Sequence, residues 1–104
     1  MPHSNIPNEK KIKGQKSEYV AAGFMTDENY FISWRQEDNS PYDFAATHRV
    51  TGKTRLIDAK TVSFRKTWKP GTRICRVLNK YQKQLGVEIL YVYPDGRCDF
   101  HGKN

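Results

Sequence analysis

The stretch PYDFAATHRVTGKTRLIDAK, residues 41–60, decides the fold. Before Thr51-Gly52-Lys53, the residues Tyr42, Phe44 and Ala46 alternate with Asp43, Ala45 and Thr47. After it, Arg55, Ile57 and Ala59 alternate with Leu56, Asp58 and Lys60, and the glycine between the two runs favours a turn. This pattern predicts one β-strand over residues 42–50 and a second over residues 54–64. The two strands would form an antiparallel hairpin.

The register of this hairpin decides which acidic residues come together. A tight two-residue turn would set Asp43 opposite Val62, which is about 13 Å from Asp58 at roughly 3.3 Å per residue. Two carboxylates at that distance cannot share one cation. We therefore predict a wider or bulged turn at residues 49–52, which brings Asp43 level with Asp58 or Ala59.

A small group of acids and one lysine is the candidate catalytic set. Asp58 and Lys60 share a face of their strand, since side chains alternate with a period of two. Glu18 follows Ser17, a good N-cap, and would begin a helix. Carboxylates can hold Mg²⁺ or Mn²⁺, and a neighbouring lysine can orient water or stabilise a charged transition state. The pattern indicates metal-assisted cleavage of a phosphodiester.

Each of these residues also has an ordinary structural explanation. Glu18 could serve the helix dipole, Asp43 could belong to a turn, and an exposed salt bridge would explain Asp58 and Lys60. His48 falls on the opposite face of its strand from Asp43, which favours a packing role. No histidine or cysteine spacing indicates a zinc site.

The rest of the chain is predicted to add two helices and three strands. The first 16 residues are polar and lysine-rich and are expected to form a flexible arm. The predicted elements are a helix over 18–26, a strand over 30–34, a helix over 73–85 between Thr72 and Gly86, and strands over 87–93 and 97–101. An apolar stripe marks the second helix as core or partly a dimer face: Ile74, Val77, Leu78, Tyr81 and Leu85. The order α-β-β-β-α-β-β describes an α/β sandwich around a mixed sheet.

The charge of the chain predicts a polyanionic partner. Lys and Arg number 18 against 11 acids, a net charge of +7, and the pI is near 9.5. An anionic membrane surface is the weaker alternative, because no apolar run approaches the roughly 20 residues of a span. Without a signal-like segment, and with Cys75 and Cys98 as ordinary thiols, an intracellular protein is expected.

Basic residues around the candidate site are expected to contact DNA phosphates. Trp68 could stack on an unpaired base or cover the edge of the core. The predicted DNA-binding residues are Lys13, Lys16, Arg65, Lys66, Trp68 and Lys69.

These motifs resemble the PD-(D/E)XK nuclease superfamily, and most closely its small Holliday-junction-resolvase-like members. Pro41-Tyr42-Asp43 stands where the family has Pro-Asp, with Tyr42 inserted. Asp58-Ala59-Lys60 is similar to the (Asp/Glu)-x-Lys element, in its less common Asp form, and Lys13-Gly14-x-x-x-Glu18 resembles the start of the resolvase branch. The resemblance implies that Glu18, Asp43 and Asp58 bind the metal and that Lys60 is the catalytic lysine.

The resemblance also implies a fold and a function. Residues 17–104 would form a restriction-endonuclease-like α/β domain with a central mixed sheet. The function would be cleavage of DNA with Mg²⁺ or Mn²⁺, with a preference for branched DNA, by a homodimer that pairs through residues 30–34 or 91–100. The alternatives are a sequence-specific nicking or homing-type endonuclease, and a non-catalytic DNA-binding or inhibitor protein on the same fold.

Overall fold

The computed structural model describes residues 9–64, 71 and 73–101, with side chains from residue 12 onward. Within them, two helices and five strands follow in the predicted order. They are α1 (Glu9–Asp27), β1 (Tyr30–Trp34), β2 (Phe44–His48), β3 (Thr54–Thr61), α2 (Lys80–Leu85), β4 (Val87–Val92) and β5 (Cys98–Phe100).

The strands form one mixed sheet in the order β1-β2-β3-β4-β5. The pairs β1–β2, β2–β3 and β4–β5 are antiparallel, whereas β3 and β4 are parallel. A parallel pair needs a crossover connection. The segment between β3 and β4, which contains α2, is that crossover. The prediction of a mixed sheet is confirmed.

The main core lies between α1 and one face of the sheet. Met25 of α1, Phe44 of β2 and Ile57 of β3 have no exposed surface, and Leu90 of β4 completes the centre. Full burial of such side chains stabilises a fold by about 1.5–3 kcal/mol each. Because Phe44 and Ile57 face α1, alternation turns their neighbours toward the other side of the sheet.

The first helix is longer than the sequence predicts. It begins at Glu9 rather than at residue 18, so residues 9–16 of the predicted flexible arm are helical. Ser17 is therefore not an N-cap but a buried helix residue, whose Oγ lies 2.5 Å from Oγ1 of Thr61. Residues 1–8 lie outside the described residues, and the division of the chain at residue 17 stays a prediction.

The second helix is shorter than the sequence predicts. The prediction of a helix over 73–85 is wrong for its first half, because α2 begins at Lys80 behind the N-cap Asn79. Asn79 and Gln82 form a reciprocal capping box, which fixes the helix start there. The predicted cap Thr72 lies outside the described residues, whereas Gly86 is the predicted C-cap, with φ 78°.

The apolar stripe predicted on this helix is not part of the core. Val77 is 82% exposed and Tyr81 58% exposed, while Leu78 packs on a small second cluster that contains Ile89 and Tyr91. Tertiary contacts, rather than helical hydrogen bonds, hold segment 73–79, which has no regular secondary structure beyond a bridge at Arg73. The amide of Arg76, for example, donates to the hydroxyl of Tyr91 at 2.7 Å.

The strands β2 to β5 are shorter than predicted, and the trimmed end of β2 matters for the site. β2 begins at Phe44, so that Tyr42 and Asp43 precede the strand rather than belong to it.

In the described part of the chain, neither helix has the length and apolar character needed to cross a membrane.

Candidate active site

The hairpin β2–β3 brings Asp43 level with residues 57–59. The last registered pair of the two strands is Phe44 with Ile57, and just beyond it Asp43 hydrogen-bonds through its backbone amide to Ile57 and through its carboxylate to the amide of Ala59. The connection is residues 49–52, a wider turn than the two-residue form. The prediction that a wide turn brings the two acids level is confirmed.

His48 and Gly52 stabilise this turn. The amide of Gly52 donates to the carbonyl of His48 at 2.9 Å, and Gly52 has φ 75°, where glycine carries no steric penalty. The Nδ1 atom of His48 accepts from the amides of Val50 at 3.2 Å and Thr51 at 3.3 Å. The ring also packs edge-on against Tyr30. His48 therefore has a structural role in the hairpin.

The carboxylate of Asp43 is held in place by the end of the sheet. Its backbone amide donates to the carbonyl of Ile57 at 2.8 Å. Its Oδ2 accepts from the amide of Ala59, also at 2.8 Å. β2 begins only at Phe44, so the carboxylate of Asp43, rather than a backbone carbonyl of β2, accepts the hydrogen bond from the amide of Ala59.

Asp58 is almost fully buried, at 7% exposure, and has two side-chain neighbours. Nζ of Lys60 lies 3.5 Å from its Oδ2, and Nε2 of Gln82 lies 3.4 Å from the same oxygen. The side-chain Nε2 of Gln82 also donates to the carbonyl of Pro41 at 2.8 Å. Gln82 thus connects α2 to both the loop before Asp43 and the acid on β3.

Glu18 approaches from α1 and is joined to Asp43 through Arg35. The contact between Ser17 and Thr61 holds this part of α1 against the end of β3. Nη1 of Arg35 lies 2.9 Å from Oε1 of Glu18 and 3.0 Å from Oδ1 of Asp43. One guanidinium nitrogen therefore bridges two of the three predicted acids.

The predicted catalytic residues Glu18, Asp43, Asp58 and Lys60 all line one cleft of about 530 Å³. The cleft is open to solvent and has a largely polar lining. Its other lining residues are Lys13, Gly14, Ala59, Thr61, Ser63 and Arg76.

The clustering of acids changes the ionisation of Asp43. The pKa of Asp43 is raised from 3.8 to about 6 in all. Burial is the largest cause and the charges of Asp58 and Glu18 act in the same direction, while the hydrogen bond from the amide of Ala59 and the charge of Arg35 oppose the shift. A carboxylate in this condition is stabilised by any additional cation.

The donor chemistry of the cleft fits a hard divalent cation. Carboxylate oxygens are the ligands that Mg²⁺ and Mn²⁺ prefer, and three acids converge on one open space. The side-chain positions are not those of a formed centre. Within residues 12–64, 71 and 73–101, no three His, Cys, Asp or Glu side chains are arranged to hold a metal ion. Arg35 already bridges Glu18 and Asp43.

The predicted DNA-binding residues are only partly described. Lys13 is exposed and lines the cleft, and the exposed Lys16 lines a neighbouring depression. The others lie outside the described residues: Arg65, Lys66, Trp68 and Lys69.

Three site residues were not predicted from the sequence. Arg35 follows a strand and belongs to no motif, so no pattern marks it. Arg76 and Gln82 were assigned to one long helix, which hid their positions. An Asn-x-x-Gln capping box at 79–82 is the signal that could have moved the helix start and placed Gln82.

The fold is similar to that of the bacterial homing endonuclease I-Ssp6803I, with a TM-score of 0.61 and 10% sequence identity. The match covers 85% of this chain and 64% of the other, so this chain spans less than two thirds of that protein. No protein-family model matches the chain, and no curated protein matches it in sequence. At this level of identity the similarity concerns the fold. The restriction-endonuclease-like α/β fold predicted from the sequence is confirmed.

Proposed function

We propose that this protein is a divalent-metal-dependent DNA endonuclease. The observation that carries the proposal is that the β2–β3 hairpin brings Asp43 and Asp58 into one open cleft, with Lys60 3.5 Å from Asp58. The similarity of the fold to that of a homing endonuclease supports a nuclease activity.

The catalytic residues of the proposed reaction are those that line the cleft. Asp43 and Asp58 would hold Mg²⁺ or Mn²⁺, with Glu18 as a third ligand. When bound, the cation would activate a water and offset charge on the phosphate. Lys60 lies 3.5 Å from Asp58, where its ammonium can orient the water or stabilise the transition state.

DNA is the proposed partner because the chain carries a net charge of +7. Lys13 and Arg76 bring cationic side chains to the cleft itself. Lys16, Arg65, Lys66 and Lys69 are proposed to extend this contact along the backbone, with Trp68 against a base or the core edge.

The preferred DNA substrate has two candidates. The similarity to a homing endonuclease favours a sequence-specific nicking or homing-type enzyme. The Lys13-Gly14-x-x-x-Glu18 start favours a resolvase-like enzyme that selects branched DNA. The fold similarity is the stronger support, because it covers most of this chain.

A symmetric homodimer is part of the proposal, since two cuts in opposite strands need two sites. β1 is an edge strand of the sheet, and its Phe31 and Trp34 are each 44% exposed. The closing strands β4 and β5 are the other candidate surface. Sedimentation of the protein with and without DNA at micromolar concentration would separate dimer from monomer.

Cleavage assays test the proposal directly. Supercoiled plasmid, a four-way junction and a matched linear duplex are each incubated with and without Mg²⁺. We expect metal-dependent nicking that is lost in Asp58→Ala and Lys60→Ala and retained in Lys53→Ala, an exposed lysine of the hairpin turn. DNA binding without cleavage in the native protein would favour the non-catalytic alternative. Undiminished cleavage in both site variants would place the active site elsewhere.

A further inference from the structure

Arg35 occupies the position where a bound cation would be expected. Its Nη1 lies within 3.0 Å of a carboxylate oxygen of Glu18 and of Asp43. The three side chains are largely enclosed, at 26%, 19% and 18% exposure. A divalent cation coordinated by Oε1 of Glu18 and Oδ1 of Asp43 would compete with the guanidinium for these two oxygens.

The backbone of Arg35 is held by the sheet, whereas an open cleft lies beside its side chain. The amide of Arg35 donates to the carbonyl of Asp43 at 3.2 Å, which continues the β1–β2 ladder. Beside the guanidinium lies a second cleft of about 310 Å³, lined by Arg35 itself, Glu37 and Asp38. The long arginine side chain can turn into this space without moving the strand.

This second cleft, called the outer cleft below, places the acidic residues Glu37 and Asp38 near Arg35. Burial lowers the pKa of Arg35, but the hydrogen bond and charge of Glu18, the charge of Asp43 and, last, the charge of Asp38 raise it above the ordinary value. A guanidinium that leaves Glu18 and Asp43 would therefore still have acidic residues beside it.

We propose that Arg35 is an exchangeable counter-ion of the active site. In the metal-free protein it neutralises Glu18 and Asp43. When a divalent cation binds, it turns toward Glu37 and Asp38. The inference rests on the proposed function, because it assigns Glu18 and Asp43 to a metal. Arg35 is thus a positioning residue that weakens metal binding while it stabilises the empty site.

Mn²⁺ binding without DNA tests the exchange. Electron paramagnetic resonance measures free Mn²⁺ against protein for the native chain, Arg35→Gln and Arg35→Lys. We expect Arg35→Gln to bind Mn²⁺ roughly five- to tenfold more tightly, as loss of an ion pair of about 1 kcal/mol implies. In EDTA it should melt at a lower temperature than the native protein, and Mn²⁺ should restore more of its stability.

A second pair of variants tests the outer cleft. Removing the charges of Glu37 and Asp38 as Glu37→Gln with Asp38→Asn should weaken Mn²⁺ binding, because the displaced guanidinium loses its new partners. The matched control is Asp27→Asn with Glu28→Gln, which removes the same charge from exposed residues outside both clefts. Equal affinities in the two double variants would overturn the outward movement of Arg35.

Arg35→Lys keeps the inference testable if Arg35→Gln does not fold. A lysine contacts one carboxylate at a time more readily than both, so Mn²⁺ should still bind more tightly than to the native protein. Unchanged or weaker affinity in Arg35→Lys would overturn the inference. If the native protein cleaves DNA with Mg²⁺ and the Arg35 variants bind Mn²⁺ with native affinity, the counter-ion role of Arg35 is overturned and the proposed function stands. If Arg35→Gln binds Mn²⁺ more tightly while the native protein cleaves no DNA, the counter-ion role stands and the proposed function is overturned.

Discussion

The backbone amide of Arg76 donates a 2.7 Å hydrogen bond to the hydroxyl of Tyr91, a side chain with no exposed surface. The same hydroxyl lies 3.0 Å from Nδ1 of His101, beyond the end of β5. The guanidinium of Arg73 stacks over the ring at 4.2 Å. One buried tyrosine of β4 therefore holds the irregular segment 73–79 and sets Arg76 at the rim of the candidate active-site cleft.

Tyr91→Phe removes this anchor and keeps the ring. We expect the free energy of unfolding to fall by about 1–2 kcal/mol, because the part-buried hydrogen bond between the amide of Arg76 and Tyr91 is lost. DNA affinity should fall with it, since Arg76 is no longer held at the cleft. Denaturant titration and DNA titration measure the two effects. Tyr81→Phe, at an exposed ring on α2, is the control. Wild-type values in both assays for Tyr91→Phe would contradict the positioning of Arg76.

The raised pKa of Asp43 predicts how stability depends on pH in EDTA. Its folded pKa of about 6 exceeds the ordinary 3.8, so the folded protein binds this proton more readily than the unfolded chain. The contribution to stability therefore increases as pH falls from about 7 to about 4, by at most about 3 kcal/mol. Asp43→Asn lacks this titration, and the difference between the two stability profiles isolates it. Parallel profiles would show that Asp43 titrates normally.

The local patterns of the sequence account for the hairpin and the order of elements. Buried Phe44 and Ala46 alternate with the less buried Ala45 and Thr47 in β2, and this period can be read without knowledge of the rest of the fold. The level placement of Asp43 and Asp58 followed from the requirement that both reach one cation. These predictions depend on residues close together in the chain.

The errors arose where distant residues decide the structure. Residues 73–79 have a helical apolar period, yet a hydroxyl on β4 and the capping box at Asn79 override it. Arg35 could not be placed because its partners lie on α1 and before β2, and no spacing in the sequence joins them. Ser17 resembled an N-cap because its partner Thr61 is a distant contact.

Arg55 offers a way to separate stability from catalysis. It donates to both oxygens of Glu88, at 2.8 and 2.6 Å, and its guanidinium stacks on the ring of Phe100 at 4.1 Å. None of these residues lines the candidate active-site cleft. Arg55→Ala should lower the free energy of unfolding by about 1–3 kcal/mol and leave cleavage per folded molecule unchanged. Cleavage that falls much further than the folded fraction would extend the site to this side of the sheet.

The salt dependence of DNA binding tests the proposed interface. Each phosphate contact releases condensed counterions, so the logarithm of the binding constant should fall steeply and linearly with the logarithm of salt concentration. Asp58→Ala, as an inactive variant, allows binding to be measured without cleavage.

In that background, Arg76→Ala should reduce the slope by about one, because it removes one cation that contacts phosphate. Lys53→Ala, at the tip of the hairpin and outside the cleft, should leave the slope unchanged. A binding constant that stays flat between about 50 and 200 mM salt would contradict an interface of several phosphate contacts. An unchanged slope in Arg76→Ala, together with a steep slope in the parent, would move the DNA path away from Arg76 and toward the lysines of α1.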